Sequence, residues 1–560
     1  MSQIKLKKWI YALVCLTGLS IEVHAIDTIF YNGSVYSVGQ GKIVASAVVV
    51  ENGLITYIGN DAHALAMSDE ETQPIDLDGR FLMPGFIDTH NHVFEGASEV
   101  GGNCELAYDL PLSKQGPYLE DCRSNVSRRD DWVIGYGHQL DYLMEDTGGT
   151  EPREFLDQYF SENPIVIMEE SSHSMLVNSL ALEKIGFDAR SDHPVGGRIM
   201  FSETSGEPNG ILFDNAGDLV MEMAWNSQAD RFRASYDGLI AGMDLAVKNG
   251  ITTIGDGRLY WKRGWHEVWE EALGNGDVIV RTSLRPWIYP EVDFDEQLNF
   301  LESIAYRNTH DLLIIDQVKI YIDGVMHFGT AKMLKPYIDS WQSGLPYGLN
   351  YISPDALPDL LLSLDQIGYG VHVHAIGDGG VREVLDAFEY ARDKGVRKTF
   401  SMTHLELVDV NDLPRFKQLQ VHADFQAGAS YFDKTGWARF YIGRERAKGM
   451  MPMRKLYDVG ANITFSSDWT VNPLNPLVAI ANSMRLRESR GLPDVHAAIR
   501  AATINGARAL ALDSVTGSIE VGKSADLVIL DRDITRSTWS EIKAAKVAMT
   551  MLRGEIVFQQ

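Results

Sequence analysis

The chain has 560 residues, 45% of them hydrophobic, and a formal charge of −27. That length supports a large core and more than one structural unit. The negative balance excludes nucleic acid and anionic membrane surfaces as expected partners and leaves a small-molecule substrate.

The amino terminus reads as an export signal, residues 1–25. Lys5, Lys7 and Lys8 precede a short apolar stretch over 9–21, and Val23-His24-Ala25 offers small residues for cleavage after Ala25. The stretch falls short of the ~20 residues a spanning helix needs. No later run is long enough either, so the mature chain is expected in the periplasm or outside the cell, without an integral membrane segment. Cys104 and Cys122 then remain, and an even pair in an oxidising compartment predicts a disulfide.

Residues 26–83 read as short strands with turns. The run 28–31 leads into Asn32-Gly33, 47–51 into Asn52-Gly53 and 54–58 into Gly59-Asn60. Asn-Gly steps predict hairpins. Two further strand patterns, at 525–531 and 547–552, lie within the last fifty residues. Two β segments, 26–83 and 512–560, thus flank a long middle and predict one composite β-sandwich built from both termini.

The middle, 84–511, alternates strand and helix, which implies a parallel sheet. Apolar runs at 86–90, 251–256, 278–285, 317–323, 371–375, 399–405, 421–426 and 463–468 make eight strands. Eight is the number for a closed (β/α)8 TIM barrel. Residues 98–235 exceed any ordinary connecting loop and are expected to form an inserted subdomain beside the mouth.

The chemistry gathers at the carboxyl ends of these strands, where such barrels keep it. His90 and His92, after Pro84-Gly85-Phe86-Ile87-Asp88, are spaced to share a strand face. Two converging imidazoles are half of a transition-metal site. Lys319 sits inside Val318-Lys319-Ile320-Tyr321-Ile322, where alternation sends it to the interior. Burial depresses a lysine's pKa. Its free amine can then take up carbon dioxide, and the carbamate can bridge two metals. His374 lies nearer its strand end than His372, so His374 is the predicted ligand and His372 a packed neighbour. His404 ends another strand, and Asp468 closes the last one, placed to ligate and to act as general base. Oxygen and imidazole donors without thiolate suit zinc, manganese or iron. His173, in the insertion, is a candidate to line the substrate pocket or orient a carbonyl; a packing role is the alternative. Trp261, Trp265, Trp287 and Tyr289 hint at an aromatic-lined pocket.

The chain resembles the amidohydrolase superfamily, in particular its amidohydrolase-3 branch of YtcJ-like proteins and N-substituted formamide deformylases. The marks are Pro-Gly-Phe-Ile-Asp-Thr-His-Asn-His at 84–92, Gly-Glu-Pro-Asn-Gly-Ile-Leu at 206–212 and Val-Lys-Ile-Tyr-Ile-Asp-Gly at 318–324. His-Ala-Ile-Gly-Asp at 374–378, Thr-His-Leu-Glu at 403–406 and Ser-Ser-Asp-Trp at 466–469 add to them. The resemblance covers nearly the whole mature chain. It implies one or two divalent ions per subunit, zinc first among them, held by His90, His92, Lys319, His374, His404 and Asp468. In binuclear members His90, His92 and Asp468 would take the deeper metal, His374 and His404 the outer one, and carboxylated Lys319 would bridge. The activity implied is hydrolysis of a non-peptide C–N bond, N-acyl or N-formyl amide-like, by metal-activated hydroxide; the expected assembly is a homodimer. The alternatives are a ring-amidine deaminase and a non-catalytic periplasmic binding or regulatory protein. Deaminases of this superfamily place glutamate three residues after the fifth-strand histidine, where this chain has Gly377.

Overall fold

Eight short strands position the candidate site: β1 (Phe86–Asn91), β2 (Ile251–Asp256), β3 (Arg281–Ser283), β4 (Gln317–Tyr321), β5 (Gly370–Ala375), β6 (Phe400–His404), β7 (Val421–Phe425) and β8 (Asn462–Phe465). The computed structural model describes residues 28–94, 104–126, 131–340, 343–432 and 434–560. The expected export signal lies outside these residues, as do 98–103 and 127–130 of the expected insertion.

The strands form two parallel sheets rather than one continuous ladder. β1, β2 and β3 pair in order, and β3 pairs with a two-residue strand, Leu313–Ile314. β4 to β8 pair in chain order in a five-stranded sheet. Backbone hydrogen bonds tie the sheets together on both sides. On one, Lys319 N donates to Pro286 O (3.0 Å) and Ile288 N to Lys319 O (2.9 Å); on the other, Asp468 N donates to His90 O (2.8 Å) and His92 N to Trp469 O (3.1 Å).

Helices cover the outer faces through apolar stripes. In the helix Asp378–Asp393 the buried Val381, Val384, Leu385, Phe388 and Ala391 recur at helical spacing. Phe388 stacks on Phe400 of β6 with ring centroids 4.1 Å apart. Full burial of such a side chain stabilises by ~1.5–3 kcal/mol.

Both termini contribute to a second region. One sheet orders Leu54–Gly59, Ala47–Glu51, Thr28–Tyr31 and Gln73–Asp76; the other orders Glu555–Gln559, Val547–Leu552, Leu527–Leu530, Phe81–Pro84, Ser34–Ser37 and Lys42–Ala45. Phe30, Val48 and Ile55 of the first share a buried cluster with Leu82, Leu527, Ile529 and Met551 of the second. Asn52-Gly53 makes the expected hairpin, both residues at positive φ (51° and 76°). Asn32-Gly33 does not: it carries the chain from one sheet to the other, with Asn32 Nδ2 donating to Asp76 Oδ1 (2.8 Å). Gly59-Asn60 also differs, because the Asn60 side chain accepts from His63 N (2.9 Å) and starts a short helix.

The insertion contains a six-stranded mixed sheet ordered Gly197–Phe201, Pro208–Asp214, Ser174–Val177, Ile165–Met168, Val133–Gly137 and Cys104–Leu106. Cys104 and Cys122 are joined as a disulfide between its edge strand and the helix Gly116–Ser124. The expected boundary at 235 falls inside the helix Arg231–Lys248, which leads into β2. Among the described residues no helix is long and apolar enough to cross a membrane.

Candidate metal centre

Strand register brings the polar residues together. Lys319 of β4 lies opposite His372 of β5, Tyr321 opposite His374, and Ala375 opposite His404 of β6. Residues two apart on a strand share a face. Lys319 and Tyr321 therefore project to the same interior as His372 and His374.

The tightest group is His90, His92 and Asp468. Asp468 Oδ1 stands 3.2 Å from His90 Nε2 and 3.0 Å from His92 Nε2, and the two Nε2 atoms are 3.2 Å apart. His90 Nδ1 faces His372 Nε2 at 2.8 Å, and His372 Nδ1 meets Ser401 Oγ at 2.8 Å. That chain orients the His90 ring and presents Nε2 as the donor, as ligating histidines are commonly held. Lys319 Nζ lies 3.2 Å from His90 Nδ1. Gly257 leaves room for the cluster: a Cβ there would come within 2.8 Å of the His90 ring and 2.9 Å of His92 Cε1.

His374 and His404 stand beside this group, their rings 4.5 Å apart. His374 Nε2 is 3.2 Å from Gly324 O, so it carries the proton, and its Nδ1 is buried with no hydrogen-bond partner among the described residues. An orphaned acceptor in the interior is costly and is the natural donor atom for a cation. His404 Nδ1 faces Gln426 Oε1 at 3.0 Å and lies 4.0 Å from Asp468 Oδ2. His404 and Asp468 sit at positive φ (72° and 52°), a conformation that costs non-glycine residues of order 1–3 kcal/mol and gathers at functional sites.

A second cluster, His90, His372 and Asp424, also has donor atoms within 4.8 Å of one another. Asp424 is already saturated, accepting from Thr89 (2.5 Å), Thr403 (2.8 Å), Thr464 (2.7 Å) and Ser466 (2.6 Å). Its lone pairs serve the fold, and the His90–His92–Asp468 group is the better cation site.

Burial sets the electrostatics. It holds the Lys319 amine well below its usual range, and does the same to His90, His372 and His374. His404 is pushed down to about 3 by burial. For Asp468 burial acts upward, but its close contacts with His90 and His92 outweigh it and keep the carboxyl well below the usual carboxylate range. Burial thus favours the neutral form of Lys319, His90, His372, His374 and His404 around one carboxylate.

His173 reaches this centre from the insertion. Its ring is 5.1 Å from that of His374 and 5.9 Å from Tyr321, and its Nδ1 is 2.7 Å from Asp214 Oδ1. Sequence reasoning did not find Asp214, Gly257 or the Asp424 cage. It also passed over Tyr321, stacked on His374 at 4.3 Å, although its place two residues after Lys319 gave the signal. Of the aromatic candidates, Trp265, Trp287 and Tyr289 are buried; Trp287 lies 5.9 Å from Tyr321 and so connects that cluster to the centre.

The sequence profile of the amidohydrolase family matches residues 73–558. The chain is 28% identical to Protein LONG AFTER FAR-RED 3 of Arabidopsis thaliana over 558 residues, 95% of this chain and 91% of that one. It is 25% identical to an N-substituted formamide deformylase of Arthrobacter pascens over 556 residues, 95% and 98% of the two chains. Its fold is that of an uncharacterized metal-dependent hydrolase from Pyrococcus furiosus, with a TM-score of 0.70 at 23% identity over 90% of this chain and 99% of that one. The chain belongs to the amidohydrolase family and is a metal-dependent hydrolase acting on carbon–nitrogen bonds other than peptide bonds.

Proposed function

We propose that this protein is an exported hydrolase of N-acyl or N-formyl amides. The observation that carries the reading is the convergence of His90, His92 and Asp468 within 3.2 Å, with His374 offering a buried, unpartnered Nδ1 beside them. Neutral imidazoles and a carboxylate without thiolate are the donor set of zinc and its neighbours. His90, His92 and Asp468 would hold one ion, His374 and His404 a second, with Lys319 between them. A divalent ion so held supplies a more acidic water and a polarised carbonyl. Burial makes the Lys319 amine easier to deprotonate, and the free amine can add to carbon dioxide and lose a proton, giving a carbamate whose oxygens would be available to the ions.

Asp468 does the proton work. Its carboxylate takes the proton of the water that attacks the carbonyl carbon. As the C–N bond breaks, the same proton passes to the departing nitrogen, so amide and water become acid and amine. Asp88 fixes the segment after β8 that carries Asp468: it accepts from Ser467 N (2.9 Å) and from the Ser467 hydroxyl (2.5 Å).

The two parallel sheets are read here as halves of one (β/α)8 barrel over 84–511, on the support of the hydrogen bonds that tie them on both sides. The terminal sheets, from 26–83 and 512–560, are read as a composite sandwich on the support of their shared core. Export after removal of residues 1–25 rests on the sequence of that segment.

Ring-amidine deamination is the weaker reading. A Cβ on Gly377 would lie 2.0 Å from Lys332 O, so the position three residues after His374 has no room for an acidic side chain.

The test is metal analysis of the chain from residue 26, followed by amine-release assays on N-formyl amines, N-acyl amines, cyclic ureas and esters. One to two equivalents of zinc or a similar ion, with release from acyclic amides, is the expected result. Deamination of ring amidines with no amide cleavage overturns it.

A further inference from the structure

We propose that His173, oriented by Asp214, is a specificity residue that selects substrates carrying an N–H beside the scissile carbonyl. Secondary amides would be taken in preference to N,N-disubstituted amides and esters. This rests on the amide-hydrolase reading above.

The dyad is built by the insertion's own backbone. His173 lies in the turn between the strands Ile165–Met168 and Ser174–Val177. Asp214 ends the strand Pro208–Asp214, which pairs with the second of these through Ser174 and Phe213. Asp214 N donates to His173 O at 2.8 Å, so both ends of the pair are fixed before the side chains meet.

Asp214 is committed to the histidine. Its Oδ1 takes the 2.7 Å contact and also accepts from Tyr351 OH at 3.3 Å; its Oδ2 is buried with no partner among the described residues. The residue sits at φ 54° and is 3% exposed. A strained, buried carboxylate with an unused oxygen is expensive to keep. The fold keeps it where it can orient an insertion histidine that reaches the metal centre.

The chemistry follows from what a carboxylate can do. It only accepts, so His173 Nδ1 carries the proton it donates. In that tautomer Nε2 is the acceptor. The ring stands 5.1 Å from that of His374, at the edge of the candidate metal centre. An acceptor there is satisfied by an amide N–H. It opposes the lone pairs of an ester oxygen and finds no proton on an N,N-disubstituted nitrogen. His372 is the contrast: both its nitrogens are engaged, by His90 and Ser401, and it is 1% exposed against 8% for His173.

The experiment reads the ring directly. Metal-loaded protein with ¹⁵N-labelled histidine is titrated with N-butylformamide and, separately, with N-butyl-N-methylformamide; His173→Gln identifies the signals of His173. The expected result is an Nδ1–H tautomer whose Nε2 resonance moves with the first probe and not with the second. Asp214→Asn, whose amide can donate to Nδ1, should invert the tautomer. It should also lower the kcat/KM preference for N-butylformamide over its N-methyl counterpart and butyl formate about tenfold, through KM, the loss of one neutral hydrogen bond. An Nε2–H tautomer in the wild type, equal or absent movement with both probes, or an unchanged preference in Asp214→Asn overturns the proposal. Failure of the metal-loaded wild type to release amine from any secondary amide overturns the amide-hydrolase reading instead, while the titration still decides the role of His173.

Discussion

The interior of the parallel strands and the interior of the terminal sheets are equally buried and chemically opposite. Between the terminal sheets lie Phe30, Val48, Leu82, Leu527 and Ile529, all apolar. Inside the parallel strands lie His90, Lys319, His372, His374, Thr403 and Asp424, each at most 1% exposed. Apolar burial stabilises by ~25 cal/mol per Å². Burying ionisable groups costs free energy unless they are partnered, and here it displaces their pKa values. One region therefore supplies stability and the other spends it on reactivity, and changes in the two should read out differently.

The sharpest test is Asp468→Asn. It should keep the fold and lose turnover by roughly 10²–10⁴-fold, the usual contribution of a positioned acid–base group. Turnover near the wild-type value, with an unchanged melting curve, would remove Asp468 from the proton path. Lys319→Arg belongs to the same class: a permanently charged guanidinium cannot form a carbamate and should repel the ions, so metal content and activity should fall together. Full metal content in that variant would break the assignment of Lys319 to the bridge.

Phe30→Ala should do the reverse. Removing a fully buried ring leaves a cavity and should cost about 3–5 kcal/mol by denaturant unfolding, with turnover per folded molecule unchanged. If turnover falls in step with stability, the two regions are not independent. Chelation lies between these cases. Stripping a bound ion present at a hundred times its dissociation constant should lower stability by ~2.7 kcal/mol, recovered on adding zinc. A melting temperature indifferent to chelator and zinc alike would count against the centre. The smallest effect is expected at Gly257→Ala, whose methyl group would press on His90 and His92. Metal affinity should fall about tenfold with little change in stability, in line with perturbed support of ligating histidines; unaltered affinity would show that the rings have room to retreat.

Much of this was legible in the chain. All eight strands fall where short apolar runs predicted them, because strands buried on both faces are continuous apolar or hydroxyl-bearing segments. His90 and His92 could be paired from sequence because their meeting depends only on the two-residue repeat of one strand. Asn52-Gly53 could be read as a hairpin for a similar reason, since the turn needs only its own two residues at positive φ. Asn32-Gly33 carries the same dipeptide and makes no hairpin, because whether the next strand folds back or crosses to another sheet depends on partners far along the chain.

By itself, then, the sequence determined local periodicity, the turn chemistry and the kinds of donor available for the site. The tertiary structure decided which of them meet. His90 finds His372 across 282 positions, Thr89 finds Asp424 across 335, and His173 finds Asp214 across 41. No local preference encodes such contacts. They arise when sheet register and the packing of the insertion leave a buried polar atom one partner within hydrogen-bond reach, and the cost of leaving it unsatisfied selects that arrangement.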